Sequence, residues 1–444
     1  MNDFFNPESV AIFGSTKPKK VAYEILRNIL EGGYEGKIYL INPRGGSVFN
    51  LKVCSSLDEV KDKIDLAVVA VPAGLVKGVL EESVQKGIKA AIIITSGFSE
   101  VGDKEAEEDI IKLAKERGVR IIGPNCAGLF NTFHNFFPTI EMRMPRGNLS
   151  FIAQSGAFGG AVLAWAEDKG IGMSKFVSYG NRCDVDEADL IEHLNNDDTT
   201  KVIMVYIEGL REGQKFLRAA KASKKPIIAI KAGKSESGRR SVSSHTAALA
   251  GRDEIYQGAF DQAGIIRVSD IEELFDLAQS FAYYLEGLPR GNKIVIVTNS
   301  GGPGVMVADK CEELDLYLPE PTAELKQKLQ DFLSPICSLK NPIDLTAQAT
   351  SQEYKKVIEL VAEEYDAVLV ICIPPMFVGS KEIAEGVVEA RKRVKKPVLV
   401  SFMAGKLVED GIRLFEQNNV HNFETGERAA RALAGLIRYG KRKR

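Results

Sequence analysis

The sequence predicts an α/β protein built from three doubly wound domains in series, each a parallel sheet with helices on both faces. Short runs rich in Val and Ile are apolar throughout, without the alternation of a half-exposed strand, which is how strands buried on both faces read. Amphipathic stretches of helical length separate them almost to the end of the chain, as the crossovers of a parallel sheet must. Between the second and third series lies EGLPRGNK (286–293), whose Gly, Pro and charges mark it as a linker.

The first series comprises SVAIFGS (9–15), KIYLINP (37–43), DLAVVAVPA (65–73), AAIIITSGF (90–98) and RIIGPN (120–125). Helical patterns at 21–33, 75–87 and 105–118 lie between them, two of them closing on Gly before the next strand. Residues 1–145 therefore read as a Rossmann-like domain. The second series is NLSFIAQSG (148–156), KFVSYGN (175–181), KVIMVYIEG (201–209), KPIIAIKAG (225–233) and IIRVSD (265–270), completed by a helix to Tyr284. It makes a domain over 146–286. The third, over 293–444, starts at KIVIVTNSGGPG (293–304) and continues through DAVLVICIPP (366–375) and KPVLVSFMAG (396–405).

Composition narrows the functional classes. With 45% hydrophobic and 27% charged residues, the chain has the balance of a soluble globular protein. A formal net charge of -2 gives no field for nucleic acid or an anionic membrane, so neither is expected as a partner. No apolar run approaches the ~20 residues of a membrane span. The N-terminus lacks the basic and apolar regions of a signal peptide. Cysteines at 54, 126, 183, 311, 337 and 372 form no C-x-x-C pair and read as free thiols. A cytoplasmic location is expected, no metal site is assigned to this chain, and the basic end KRKR (441–444) reads as a solvated helix end.

The turn after the first strand holds Gly14, Ser15, Thr16 and Lys17, followed by Pro18 and two more lysines. Such strand-to-helix turns bind phosphate through free amides at the helix start. A dinucleotide fingerprint would need two further glycines here and an acidic residue after the second strand. The chain has Asn42, Pro43 and Arg44 at that position, and a cation there suits a phosphorylated ribose, either the 3′-phosphate of coenzyme A or the 2′-phosphate of NADP. Val71 and Pro72 close the third strand, and Thr95, Ser96 and Gly97 the fourth, at the same sheet edge. Solvated lysines on a structural loop are the plain alternative.

Of four histidines, His134 lies in an aromatic stretch and reads as packing, while His193 within a helix and His421 before the last helix read as bland. His245 differs. It sits in the polar, small-residue segment SSHTAALAG (243–251), read as a mobile loop over 234–246 before a helix. A neutral imidazole attacks phosphorus well if a partner fixes its tautomer. Glu208, at the end of a strand in the same sheet, is the best-placed carboxylate; a histidine that merely caps the next helix is the alternative. Two glycine-rich turns could receive a phosphorylated imidazole at helix starts. These are Gln154, Ser155, Gly156 and Ala157 in QSGAFGG (154–160), with the helix starting near Ala157, and Ser300, Gly301 and Gly302 in NSGGPG (299–304). Either could also be an ordinary tight turn.

These residues resemble a known family over essentially the whole chain: the α subunits of ADP-forming acetate–CoA ligases, relatives of succinyl-CoA synthetase. SSHTAALAG carries the resemblance most specifically, with GPNCAG (123–128), QSGAFGG and KNPIDLT (340–346) in support. The resemblance implies flavodoxin-like second and third domains, a phosphohistidine at His245, and Glu208 hydrogen-bonded to it. It implies that coenzyme A is bound by Gly14, Ser15, Thr16, Lys17, Arg44 and the Thr95, Ser96, Gly97 segment, with Asn125 and Cys126 near its thiol or acyl end. It further implies phosphate as a substrate, and ADP or ATP with Mg2+ on a separate ATP-grasp β subunit in an α2β2 heterotetramer, since no stretch here reads as an ATP-grasp domain. Two departures stand out. The third domain is fused to the histidine subunit, unlike succinyl-CoA synthetase, and Arg44 replaces a lysine. The expected reaction interconverts acyl-CoA, ADP and phosphate with a small carboxylic acid, CoA and ATP. A succinyl-CoA synthetase-type ligase, a non-catalytic CoA-binding sensor and an NADP-dependent dehydrogenase are the rivals.

Overall fold

In the computed structural model, which describes residues 1–246 and 252–442, the apolar runs become three sheets. The chain divides into two units, Met1–Ser269 and Asp270–Arg444. The first sheet contains β1 (Ser9–Gly14), β2 (Lys37–Ile41), β3 (Gly46–Val48), β4 (Leu51–Cys54), β5 (Leu66–Ala70), β6 (Ala90–Ile93) and β7 (Arg120–Ile122), in the order β3-β4-β2-β1-β5-β6-β7. Strand β1 pairs in parallel with β2 on one side and β5 on the other. The strand order reverses there, so a crevice opens beyond the carboxyl ends of β1 and β5, where doubly wound sheets bind ligands.

Strand β1 is buried along its whole length, and its alternation explains why it reads as continuously apolar. Ala11 and Phe13 enter one core, while Val10 and Ile12 enter another, in which side chains from both sheets of this unit meet. The antiparallel pair β3–β4 is an addition to the sequence reading. Its turn residues, Phe49 (φ 49°) and Asn50 (φ 63°), are both left-handed, which matches the twist of a two-residue hairpin without the usual Asn-Gly signature.

The second sheet runs β13-β12-β11-β9-β10-β8, from β8 (Gly128–Asn131), β9 (Arg146–Ala153), β10 (Met173–Ser178), β11 (Val202–Ile207), β12 (Ile227–Lys231) and β13 (Ile266–Val268). Five strands are parallel. The sixth, β8, joins antiparallel to β10, although its residues precede the second series of apolar runs. Helix starts follow their side chains. Asp186 and Asp189 form a capping box at Glu187–Asn195, and Asp103 caps Lys104–Arg117, which ends on left-handed Gly118.

The second unit holds a four-stranded parallel sheet, β15-β14-β16-β17, made of β14 (Ile294–Thr298), β15 (Ile343–Asp344), β16 (Ala367–Cys372) and β17 (Val398–Phe402). The helix Ile271–Tyr284, read from sequence with the second series, packs against Gly426–Arg442 of this unit. Buried Asp276 accepts from Arg428 Nε at 2.7 Å and Nη2 at 2.9 Å, and lies 3.3 Å from His421. Burial alone would raise the Asp276 carboxyl, but the hydrogen bonds from His421 and Arg428 hold it below its ordinary value. Among the described residues, no helix is long and apolar enough to cross a membrane.

His134 and His193 pack as expected. His134 Nε2 lies 2.9 Å from Pro7 O, and the His193 ring stacks on Phe5 with centroids 4.6 Å apart. Burial, with the nearby Lys175 charge, pushes His193 down to about 4. The folded state therefore binds its proton less readily than the unfolded chain, whose histidine titrates near 6.5. This contribution is intact above pH ~6.5 and is lost as pH falls toward ~4, reaching about 2 kcal/mol by pH 5. His193→Leu should thus lose less stability between pH 7 and pH 5 than the wild-type protein in urea titrations; equal losses would remove His193 as the source.

Candidate functional site

The carboxyl edge of the first sheet is tied together by its own loops. A side chain at Gly14 would lie 2.6 Å from both Ala22 Cβ and Ala70 O, so only glycine lets β1 turn there. Asn42 Nδ2 donates to Gly14 O at 2.7 Å, and the Arg44 N–H donates to Asn42 Oδ1 at 3.0 Å. This fixes the β2 loop against the β1 loop and leaves Pro43, Arg44 and Lys17 exposed, with Ser15 and Thr16 half-buried. The helix Val21–Glu31 that follows has no side-chain cap, so its leading amides remain available to an anion.

The neighbouring loops are more committed than their sequence suggests. Thr95 Oγ1 donates to Val71 O at 2.7 Å, and the Asn125 N–H to Thr95 O at 2.9 Å. The Gly97 amide donates to Glu100 Oε1 at 2.5 Å, so a ligand there would meet an amide already paired with a carboxylate. Pro72 and Ser96 are exposed, and Val71 half-buried, on the same edge. Cys126 is buried. Its thiol, pushed up to about 12 by burial, lies 3.3 Å from Ile93 O, so it offers the edge a backbone and not a nucleophile.

At the second sheet, Gln154 and Ser155 lead from β9 into the helix Gly156–Asp168. Ser155 Oγ caps it by accepting from the Phe158 N–H at 3.3 Å. Buried Gln154 turns inward: its Oε1 accepts from the amides of Glu208 (3.0 Å) and Gly209 (3.3 Å) at the end of β11. The Gln154 carbonyl oxygen therefore holds the Glu208 turn, and of the expected phosphate-binding residues Gly156 and Ala157 present the helix start. Glu208 also takes a hydrogen bond from the Tyr206 hydroxyl, and burial, joined by that carboxylate, raises the phenol well above its ordinary value. Phe158 stacks on Tyr206 at 4.0 Å.

The two edges meet. A side chain at Gly156 would lie 3.1 Å from Ala127 Cβ and 3.5 Å from Ser178 Oγ, and Ser178 Oγ itself accepts the Ala127 N–H at 3.1 Å. Asn125 Nδ2 donates to Asn181 Oδ1 at 3.2 Å, and Asn181 in turn donates to Glu100 and Glu107. Arg211 bonds Glu107 at 3.3 Å and Arg182 O at 2.9 Å, and Arg182 donates to Gly209 O. The sequence reading missed Asn181, Arg182 and Arg211. The first two follow the carboxyl end of β10, and that position was the available signal.

The expected loop over 234–246 is a helix from Glu236 to Thr246. Ser235 Oγ accepts the Gly238 N–H at 3.1 Å, and an Arg240–Glu236 ion pair of 2.9 Å spans one turn, which explains why a polar sequence is helical here. His245 is on this helix, which runs beside the Ser99–Val101 turn of the first sheet. The side chains of 243–246, and residues 247–251, lie outside the described residues.

The remaining glycine-rich turn belongs to the second unit. Asn299 clamps the ends of β14 and β16 through Ile373 N and O, at 3.0 and 2.9 Å. Ser300 starts the helix Gly301–Glu313 without a side-chain cap, leaving the amides of Gly301 and Gly302 open at its first turn. A side chain at Gly301 would lie 3.5 Å from Asp344 Oδ2.

Three family models match in order along the chain: a CoA binding domain (8–132), a succinyl-CoA ligase-like flavodoxin domain (146–281) and a ligase-CoA domain (294–442). The α subunit of acetate–CoA ligase [ADP-forming] II from Pyrococcus furiosus is 40% identical over 99% of this chain and 97% of its own length. Acetate–CoA ligase [ADP-forming] from Methanocaldococcus jannaschii is 42% identical over 98% of this chain and 62% of its own length. The structure of a dinucleotide forming acetyl-coenzyme A synthetase 1 from Ca. Korarchaeum cryptofilum, in complex with phosphate and ADP, superimposes with a TM-score of 0.94 at 35% identity, covering 99% of this chain and 97% of that one. By full-length identity and by the order of its domains, this chain belongs to the family of ADP-forming acetate–CoA ligase α subunits.

Proposed function

We propose that the protein is the α subunit of an ADP-forming acyl-CoA ligase of the acetate type, and that it carries the phosphoryl group on His245. One observation carries this reading beyond family membership: the His245 helix runs beside the Ser99–Val101 turn at the loop edge of the first sheet, the edge on which Ala127 lies against Gly156. Three domains, 1–145, 146–286 and 293–444, would then bind CoA, bear the histidine and supply the second glycine-rich helix start. The CoA residues are Gly14, Ser15, Thr16, Lys17, Pro43, Arg44, Val71, Pro72, Thr95, Ser96, Gly97, Asn125 and Cys126, the last through its backbone.

A phosphate oxygen attacks the thioester carbonyl of acyl-CoA; the C–S bond breaks and CoA leaves as its thiolate, giving an acyl phosphate. The unprotonated imidazole nitrogen of His245 then attacks phosphorus. The P–O bond to the acyl group breaks and the carboxylate leaves. Glu208 accepts the hydrogen bond from the other ring nitrogen, fixing the tautomer and stabilising the charge that develops on the ring. The first-turn amides at the helix start Gly156, of which the Ser155 cap takes only that of Phe158, offset the phosphoryl charge. ADP with Mg2+, on an ATP-grasp partner subunit in an α2β2 assembly in the cytoplasm, takes the phosphoryl group as the P–N bond breaks. A relative named as an α subunit and matched over 97% of its length supports the separate partner.

Radiolabelled acetyl phosphate should label the wild-type protein and leave His245→Asn unlabelled, whereas equal labelling of the two would end the proposal. Glu208→Gln should be labelled roughly tenfold to a hundredfold more slowly, the loss of one charge-assisted hydrogen bond. A faster phosphorylation with succinyl phosphate than with acetyl phosphate would move the substrate to the succinate class. In calorimetry, CoA should bind more tightly than dephospho-CoA, and Arg44→Ala should narrow that gap by about tenfold. An unchanged gap would place the 3′-phosphate elsewhere.

A further inference from the structure

The segment that bears His245 leaves the second sheet at Lys231, the last residue of β12, and returns in the helix Asp253–Ala263, which carries Tyr256. These two residues meet. The Lys231 ammonium stands 4.4 Å from the centroid of the Tyr256 ring, and it also donates to Ala232 O. Lys231 is 1% exposed and Tyr256 8%, so a lysine has been buried at the base of the segment, against the usual placement of that residue. Burial pushes its ammonium down to about 8. The contact with the ring face returns part of the solvation it has lost.

Tyr256 also reaches the Glu208 turn. Its hydroxyl accepts the Leu210 N–H at 3.1 Å. Lys231 sits directly across the sheet register from Ile207, the residue before Glu208. With Gln154 on the Glu208 and Gly209 amides and Arg182 on the Gly209 carbonyl, three side chains hold the backbone of this turn. The hydroxyl of Tyr256 is the one of these grips that comes from the chain immediately downstream of His245.

Resting on the phosphohistidine reading, we propose that Tyr256 and Lys231 are positioning residues, which fasten both ends of the His245 segment to the turn that presents Glu208. The imidazole and the carboxylate are then kept at hydrogen-bonding reach by one shared anchor. Tyr256 acts through Glu208 and touches no substrate.

The test is the rate of His245 labelling by saturating acetyl phosphate in four proteins: wild type, Tyr256→Phe, Glu208→Gln and the double variant. Tyr256→Phe keeps the ring for Lys231 and deletes only the bond to Leu210. Its labelling should be about fivefold slower, with half-saturation by acetyl phosphate and affinity for CoA unchanged. In the Glu208→Gln background the same change should have no further effect, because the group it positions is gone. Lys231→Met should likewise slow labelling in the wild type and not in Glu208→Gln. Equal rates for Tyr256→Phe and wild type, or an undiminished effect in the Glu208→Gln background, would overturn the proposal while leaving the phosphohistidine in place. A wild-type protein that takes no label overturns both.

Discussion

The ends of β9 and β11 are joined by one buried carboxamide, and the chemistry assigned to this chain depends on that join. Gln154 follows β9 and spends its side-chain oxygen on the amides of Glu208 and Gly209, so the turn that carries Glu208 is fixed relative to the helix start at Gly156. A buried carbonyl oxygen left without donors costs about as much as the hydrogen bonds themselves, so both partners are held to one geometry. From the same join, Gly156 lies against Ala127, and through Ser178 the first sheet's loop edge is brought to the anion end of the helix. Acyl transfer and phosphoryl transfer need an oxyanion and a phosphoryl group handled within a few ångströms of each other. The packing of Gly156 on Ala127 makes that approach possible.

The environment also separates reactive groups from inert ones. Cys126 occupies a loop where a thiol nucleophile could be imagined, yet burial raises it far from ionisation at neutral pH. Glu100 shows the opposite balance. Burial would raise its carboxyl, but Asn181 and the amides of Gly97 and Phe98 hold it below its ordinary value. The fixed anion of this edge is therefore structural, and positive charge for CoA is left to exposed Lys17 and Arg44 and to uncapped amides.

Most main strands were legible because their central residues are buried on both faces and therefore apolar in a run, as Val10–Phe13 of β1 and all of β16 are. The elements that escaped were those with weak local signals. The β3–β4 hairpin turns on Phe49-Asn50, and β8 joins its sheet as an antiparallel edge. The helix Glu236–Thr246 hid behind a run of serines and arginines whose helical support, a cap and an ion pair, is spread along one face. At the site, position along the sheet edge could be read and commitment could not. Gln154 finds Glu208 54 residues away, and Asn181 finds Glu107 74 residues away. Nothing local in either stretch announces those partners, so the sequence does not show that the Gln154 side-chain oxygen holds the Glu208 turn.

The most direct test of the phosphoryl path follows oxygen atoms. If phosphate attacks the thioester and His245 then takes the phosphoryl group, acetyl-CoA and fully 18O-labelled phosphate should give acetate carrying one labelled oxygen in a single turnover. The phosphoryl group retained on the protein should carry the other three. Acetate formed without label, or a protein-bound phosphoryl group at any residue other than His245, would contradict the account.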